Sequence, residues 1–190
     1  MIYLLYFLIA IGATTVGSLT GMGGGVIIKP LMDLLGGFDV ETIGVLSSIT
    51  VFAMSIVSVG KQIAQKAKID FGTAIPLALG SVAGGLLGQW MLKLIVASAP
   101  KNLVTVVQNA VLSVLILAVF LYMRNKSHIK SMSLHGLAPS VLVGVFLGIC
   151  SSFLGIGGGP INVALIIYLF GYDTKSATVC SIVTILFSQI

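Results

Sequence analysis

Two clusters of three consecutive glycines are the part of this sequence best suited to binding a ligand. They consist of Gly23, Gly24, Gly25 and of Gly157, Gly158, Gly159. Each cluster predicts a helix break, because glycine inside a helix costs about 1 kcal/mol relative to alanine. The amide groups that open the next helix lack intrahelical acceptors and lie at the positive end of its dipole. We therefore expect both breaks to bind an anion, which can approach closely because no side chain blocks it. The alternative is a tight helix crossing without a ligand.

Polar side chains close to the clusters in sequence are candidate contacts for the same anion. Hydroxyl groups occur in an apolar run after each cluster, and an amide occurs in the first turn after the second cluster. These candidates are Ser47, Thr50, Ser181, Thr184 and Asn162. They would contact an oxyanion without adding charge. The alternative is that the hydroxyl groups bond to carbonyls of their own helices, as they often do in membranes.

Lys29 and Asp33 carry opposite charges within the short apolar segment that follows the first cluster. Their spacing of four residues lets them pair on one helical face. Because ionisable residues inside a membrane usually serve a function, Lys29 is a candidate substrate contact. The residues 134 positions later are Val163 and Ile167, so this charge pair has no counterpart there. The alternative is that the Lys29 side chain extends to the membrane surface.

Catalytic and metal-binding patterns are missing from the sequence. Two histidines, His128 and His135, share one polar linker, whereas Cys150 and Cys180 lie in apolar runs. This separation argues against a catalytic triad, a cysteine–histidine pair and a metal cluster. We predict no enzymatic activity, no cofactor and no metal. Basic residues occur in short loops and not along a continuous face with interleaved aromatic residues, so we expect no nucleic-acid partner.

Composition identifies the scaffold that must position these groups. Of 190 residues, 57% are hydrophobic and 8% are charged, and the mean hydropathy is +1.16. A soluble domain uses about a quarter of its residues for charge. The sequence therefore predicts an all-α, polytopic helical membrane protein.

Six apolar runs are predicted to cross the membrane, and two are too short, because a span needs about 20 residues. The predicted spans are approximately 2–20, 43–59, 71–92, 103–123, 137–154 and 176–190, and the short segments are 26–35 and 161–170. Each short segment follows a glycine cluster, which is typical of a half-helix. Basic residues flank the spans in two loops that are separated by two crossings: Lys61, Lys66, Lys68 and Arg124, Lys126, Lys130. Both loops are therefore predicted to be cytoplasmic.

An internal repeat is predicted at an offset of 134 residues. GMGGG at 21–25 aligns with GIGGG at 155–159, and the Gly–aromatic–Asp turn at 37–39 aligns with the one at 171–173. The first repeat, 1–134, would hold four spans and a half-helix. The second, 135–190, would hold two spans and a half-helix, so about 78 residues and two spans would be missing. Parallel and inverted repeats both fit the pattern.

The sequence resembles the sulfite exporter TauE/SafE family over its whole length. The resemblance rests on the two glycine clusters, on Pro30 and Leu31 after the first, on Pro160 after the second, and on the Gly–aromatic–Asp turns. The family normally has two more spans than are predicted here. The resemblance implies a multi-pass transporter of the inner membrane for sulfite, thiosulfate or organosulfonates.

A secondary transporter of small anions is therefore the leading functional hypothesis. The glycine amides would form a site near the bilayer centre, and rocking of one repeat against the other would expose it to each side in turn. The alternative is a non-transporting membrane subunit whose glycines only pack helices. The candidate partners are the small anion, the lipid bilayer, and either a second copy of the chain or a missing C-terminal segment.

Overall fold

The computed structural model describes residues 2–20, 23–65, 70–126, 128–134 and 136–189. This part of the chain contains helices and turns and no strand, so the all-α prediction is confirmed. The helices are α1 (Ile2–Thr20), α2 (Gly25–Leu35), α3 (Val40–Ala64), α4 (Phe71–Ser98), α5 (Lys101–Asn125), α6 (Leu137–Leu154), α7 (Gly159–Phe170) and α8 (Thr174–Ser188). Among the residues used in the sequence predictions, Gly21, Met22, Lys66, Lys68, His135 and Ile190 lie outside the described residues.

Four of the described helices, α3 to α6, are long and apolar enough to cross a membrane. Many of their apolar side chains are exposed, including Leu79, Val114 and Phe120, as lipid contact requires. The apolar helices α7 and α8 are shorter, and so is the segment Leu4–Thr20 of α1. The 15 residues of α8 extend about 22 Å, less than the ~30 Å hydrocarbon core. The described part of the predicted last span is therefore shorter than a span.

Helices α1 and α2 form a hairpin that returns to the end from which it starts. The ring of Tyr6, near the start of α1, lies 5.2 Å from the ring of Phe38, in the turn after α2. Gly37 in the same turn lies against the Tyr6 hydroxyl group. The predicted half-helix 26–35 is therefore re-entrant, with the first glycine cluster at the tip of the hairpin.

Helices α6 and α7 form a second hairpin of the same kind. The Met132 amide donates a hydrogen bond to the Tyr168 carbonyl (2.8 Å), and the Leu134 amide donates one to the Leu169 carbonyl (2.7 Å). These bonds fix the last turn of α7 beside the segment that leads into α6. The second glycine cluster therefore lies at the tip of this hairpin.

The two hairpins enter the molecule from opposite ends. The open end of the first hairpin lies where α3 begins, since α3 starts two residues after Phe38. The open end of the second hairpin leads into α8. The start of α8 lies beside the end of α3, because Thr174 and Lys61 line one cavity. The 25 residues of α3 separate these ends by about 37 Å. We call the end with Lys61 the basic end and the other the opposite end. The hairpins are thus inverted; the internal repeat itself stays a prediction.

Small residues allow α4 and α6 to pack with their backbones in contact. A Cβ atom placed on Gly84 of α4 would lie 2.8 Å from the Val145 Cα atom, and one on Gly80 would lie 3.1 Å from the Gly144 Cα atom. One on Gly88 would lie 3.0 Å from the Ile149 Cα atom. The four-residue spacing of Gly80, Gly84 and Gly88 places these small residues on one face of α4, as close approach of two helices requires.

Candidate functional site

The glycine clusters break the helices, as predicted. The first break contains Gly23 with a φ of 65°, and the second contains Gly155, Gly157 and Gly158 with φ between 63° and 80°. Residues with side chains rarely adopt such positive φ values. Gly24 is an exception, because its φ of −72° lies in the right-handed helical region. All six glycines of the two clusters are buried.

Both short helices begin inside the protein without a side-chain cap. Gly24 precedes α2 and Gly158 precedes α7, and neither can offer a capping side chain. Gly25 and Gly159 hold the first helical positions, where an α-helix supplies no acceptor for the amide group. Pro160 comes next in α7 and has no amide hydrogen to satisfy. Two positive helix ends are therefore buried at the tips of the hairpins.

The two breaks touch each other between the hairpins. Gly25 lies directly against the Ile156 backbone, so that an added Cβ atom would overlap the Ile156 carbonyl group. Val51 of α3 packs against both tips: its Cγ1 atom is 3.7 Å from the Cβ position of Gly23 and 2.9 Å from that of Gly157. The structure therefore joins two clusters that are far apart in sequence into one buried junction.

Two of the predicted ligand residues have buried polar atoms without a hydrogen bond. Ser47 is fully buried and Asn162 is 1% exposed, and neither Ser47 Oγ nor Asn162 Oδ1 has a partner. The Asn162 amide lies 2.8 Å from the Cβ position of Gly158, beside the second break. Ser47 lies one helical turn before Val51 on α3, on the face towards the breaks. An unsatisfied buried polar atom costs about 1–3 kcal/mol, so a hydrogen-bonding ligand or a water at either atom would be stabilising. Asn162 Oδ1 is an acceptor and needs a donor, which an oxyanion does not provide.

The other predicted hydroxyl residues have partners already. Thr50 Oγ1 donates to the Leu46 carbonyl (2.7 Å), and Thr184 Oγ1 donates to the Cys180 carbonyl (2.9 Å). Ser181 is fully buried and engaged in an interaction. A hydroxyl group that donates to its own helix offers no hydrogen to an anion in that rotamer. The role of these three residues in binding stays a prediction.

Lys29 is also buried, but its partner is an amide. The Lys29 ammonium group, 1% exposed, donates to Gln108 Oε1 of α5 at 2.7 Å. Asp33 instead accepts a hydrogen bond from Asn109 Nδ2 at 3.0 Å. The hydrogen bonds of Lys29 and Asp33 are thus both to α5, while the two charges of the expected pair still interact through space. Gln108 and Asn109 were not among the predicted site residues, although two adjacent amides in an apolar span are an unusual pattern.

A cavity opens on each side of the junction. The basic-end cavity has a volume of about 970 Å³ and is lined by α1, α3 and the start of α8, including Thr50, Lys61 and Lys175. The opposite-end cavity has a volume of about 430 Å³ and is lined by α3, α4 and the end of α8, including Lys29 and Gly155. The tips of the two hairpins therefore lie between two openings that face opposite ends.

Residues 134 positions apart occupy corresponding places in these cavities. Glu41 and Gly44, at the start of α3, line the opposite-end cavity. Lys175 and Thr178, at the start of α8, line the basic-end cavity. This correspondence agrees with the predicted offset of 134 residues and with the inverted direction of the hairpins. The charges differ, however, because Glu41 is acidic and Lys175 is basic.

A polar cluster joins α4 to the start of α8 at the basic end. Tyr172 donates a hydrogen bond to Asp70, and Thr73 Oγ1 lies 3.1 Å from Asp70 Oδ2 and 2.7 Å from the Tyr172 oxygen. The bond from Tyr172 lowers the pKa of Asp70. Burial and the bond to Asp70 raise the pKa of Tyr172 to about 12. These contacts fix the start of α8 to α4.

Metal-binding clusters of histidine, cysteine and acidic residues are absent from the described part of the chain. The described arrangement instead provides two uncapped helix ends, unsatisfied side-chain atoms and a buried ammonium group around one junction. These groups can bind a small solute through hydrogen bonds and charge.

Comparisons with known proteins agree with this architecture. The chain is 28% identical, over 173 residues, to a probable membrane transporter protein of Methanocaldococcus jannaschii. The match covers 87% of this chain and 61% of that relative, so the chain spans about three fifths of its length. No solved structure matches the chain. The family described as Sulfite exporter TauE/SafE matches residues 6–190. The chain is therefore a multi-pass membrane protein that belongs to the sulfite exporter TauE/SafE family.

Proposed function

We propose that this protein is a secondary transporter of small anions, and that sulfite, thiosulfate or organosulfonates are its substrates. One observation carries the proposal: the broken tips of two oppositely directed hairpins touch between two cavities that open at opposite ends. Broken helices at the interface of inverted halves are the usual binding-site architecture of secondary transporters.

The charge of the site favours an anion. Two positive helix ends meet at the junction, and each cavity contains two lysines: Lys61 and Lys175 at the basic end, Lys29 and Lys93 at the opposite end. Glu41 is an acidic residue in the wall of the opposite-end cavity. The positive groups thus outnumber the acidic groups in the cavity walls. Positively charged hydrogen-bond donors of this kind bind oxyanions.

The transport cycle that we propose is alternating access. Residues 1–134 and 135–190 would act as inverted repeats, and rocking of one hairpin against the other would close one cavity as the second widens. The basic end would face the cytoplasm, because basic residues are retained on that side of the inner membrane. We infer no enzymatic step in this cycle.

Uptake into proteoliposomes tests the proposal. The wild-type protein should accumulate labelled sulfite, thiosulfate or methanesulfonate, and Gly158→Leu should abolish the flux. The φ of Gly158 is 80° and its Cβ position lies 2.8 Å from the Asn162 amide, so a side chain there would fill the junction. Gly60→Ala is the matched control, because its Cβ atom would meet nothing within 4 Å.

The alternative function, a membrane subunit that only packs helices, predicts a different outcome. Such a protein would show neither flux nor thermal stabilisation by any of the three anions. Flux that is equal in Gly158→Leu and wild type would remove the glycine junction from the mechanism.

A further inference from the structure

The Lys29 ammonium group is a buried positive charge that reaches the wall of the opposite-end cavity. Lys29 is 1% exposed and lines this cavity together with Gln108 and Gly155. Its Nζ atom lies 3.6 Å from the Cβ position of Gly155, in the second helix break. The charge is therefore placed where an anion that enters from the opposite end would reach the junction.

The direct partner of this ammonium group is neutral. Gln108 accepts the Lys29 hydrogen bond through Oε1 at 2.7 Å and donates through Nε2 to the Phe153 carbonyl at 2.5 Å. Phe153 belongs to the last turn of α6, where carbonyl groups lack intrahelical partners. Gln108 thus links Lys29 to the tip of the second hairpin without neutralising its charge.

Nearby acidic groups offset that charge only through space. Asp33, one turn from Lys29 on α2, interacts with its charge electrostatically, but the hydrogen bond of its carboxylate is to Asn109. Glu41 is exposed in the wall of the same cavity, where Lys93 is exposed as well. Burying a charge is costly unless the charge is paired. The Lys29 ammonium group is bonded only to a neutral amide, so pairing with an incoming anion would lower this cost.

We propose that Lys29 Nζ is the anion-binding group of the opposite-end cavity, and that Gln108 holds it there when no substrate is bound. A small oxyanion takes over the hydrogen bond that Lys29 now makes to Gln108 Oε1. The released Gln108 amide remains bonded to Phe153. Binding of the anion can therefore change the position of the second hairpin through this bond. This inference rests on the proposed function, since it assigns the contact that recognises the substrate charge.

The test compares substitutions that keep shape and change charge. Gln108→Glu replaces the neutral partner by a carboxylate, which would pair with Lys29 and exclude the anion. We expect sulfite binding to weaken by about tenfold or more, the usual effect of losing a charged hydrogen bond. Asn102→Asp is the matched control, because Asn102 is exposed on the same helix and lines neither of the two cavities; the affinity of this variant should stay within about threefold, since exposed charges are screened.

A second variant does not depend on how Gln108→Glu folds. Lys29→Gln removes the buried charge and keeps an amide that can bond to Gln108, so the fold should persist. It should lose sulfite binding by about tenfold or more, and the exchange Lys29→Gln with Gln108→Lys should recover part of it. Binding is measured as thermal stabilisation of the purified full chain by sulfite, thiosulfate and methanesulfonate, with tracer uptake in proteoliposomes as the second readout.

The outcomes separate this inference from the proposed function. Wild-type affinity in Lys29→Gln, or in a folded Gln108→Glu, overturns the assignment of Lys29 while transport by the wild type still stands. A wild-type protein that neither binds nor transports any of the three anions instead overturns the proposed function.

Discussion

Gly25 lies against the backbone carbonyl group of Ile156, so that the start of α2 and the second helix break are in direct contact. Gly25 and Ile156 are 131 positions apart in the sequence and belong to hairpins that enter from opposite ends. The contact leaves no room for even a methyl group at residue 25. It joins the two helix breaks, and it makes a joint site possible.

Gly25→Ala should therefore destabilise the protein. The methyl group would collide with backbone atoms of Ile156, which cannot rotate away, and overpacking of this kind costs about 1–3 kcal/mol. The control is Gly60→Ala, which lies in an open position of α3 and should stabilise its helix by up to about 1 kcal/mol. Thermal unfolding in detergent measures both changes. A melting temperature of Gly25→Ala at or above that of the wild type would contradict the contact.

Ser47→Ala should stabilise the anion-free protein. The Ser47 hydroxyl group is buried without a hydrogen bond, so its removal relieves a desolvation cost of about 1–3 kcal/mol. The same variant should lose part of the stabilisation by sulfite if Ser47 contacts the anion.

Ser55→Ala provides the matched control on the same helix. Ser55 is also fully buried, but its hydroxyl group donates to the Val51 carbonyl at 2.7 Å. Its removal should be neutral or mildly destabilising and should leave the response to sulfite unchanged. Equal effects of the two substitutions would show that Ser47 has no special place at the junction.

Glu41→Cys and Lys175→Cys should react with impermeant thiol reagents from opposite sides of the membrane. The two residues are exposed and lie 134 positions apart, one in each cavity. The experiment uses a background in which Cys150 and Cys180 are replaced by alanine. Reaction of both cysteines from one side would contradict the inverted arrangement of the hairpins.

Tyr172→Phe should alter the pH dependence of stability at the basic end. The pKa of Tyr172 is raised to about 12 by burial and by the bond to Asp70, compared with about 10 in the unfolded chain. A raised pKa stabilises the folded state below pH 10, and this contribution disappears as the pH rises from about 10 to about 12. The wild type should thus lose stability over this range, and Tyr172→Phe should lose less.

Asp70 gives the complementary acid-side prediction. Its pKa is lowered, chiefly by the bond from Tyr172, so its contribution is present above about pH 3.9, the unfolded value. It is lost as the pH falls through the lowered pKa. The cluster is largely exposed, so each effect should stay within about 1 kcal/mol. Asp70→Asn combined with Tyr172→Phe should be non-additive, because both substitutions remove one shared bond; additive changes in melting temperature would contradict that bond.

The local features of the fold were predictable from the sequence because they depend on local chemistry. Helix boundaries such as Leu137–Leu154 follow from runs of apolar residues, and the breaks at Gly23 and Gly157 follow from the high cost of consecutive glycines in a helix. The packing face of α4 follows in the same way from the spacing of Gly80 and Gly84. These features need information from only a few neighbouring residues.

The arrangement of the hairpins was decided only by the tertiary structure. The sequence was compatible with both parallel and inverted directions of the hairpins. A half-helix that turns back to the side from which the chain entered has the same apolar pattern as one that continues across the membrane. The contact between Tyr172 and Asp70 at one end, and that between Tyr6 and Phe38 at the other, distinguish the two. Likewise, four-residue spacing suggested that Lys29 pairs with Asp33, whereas packing against α5 supplies Gln108 and Asn109 as partners. Composition and the local glycine clusters thus determined a helical membrane protein with two breaks. The contact between those breaks depends on residues that are distant in the chain, and no local pattern encodes it.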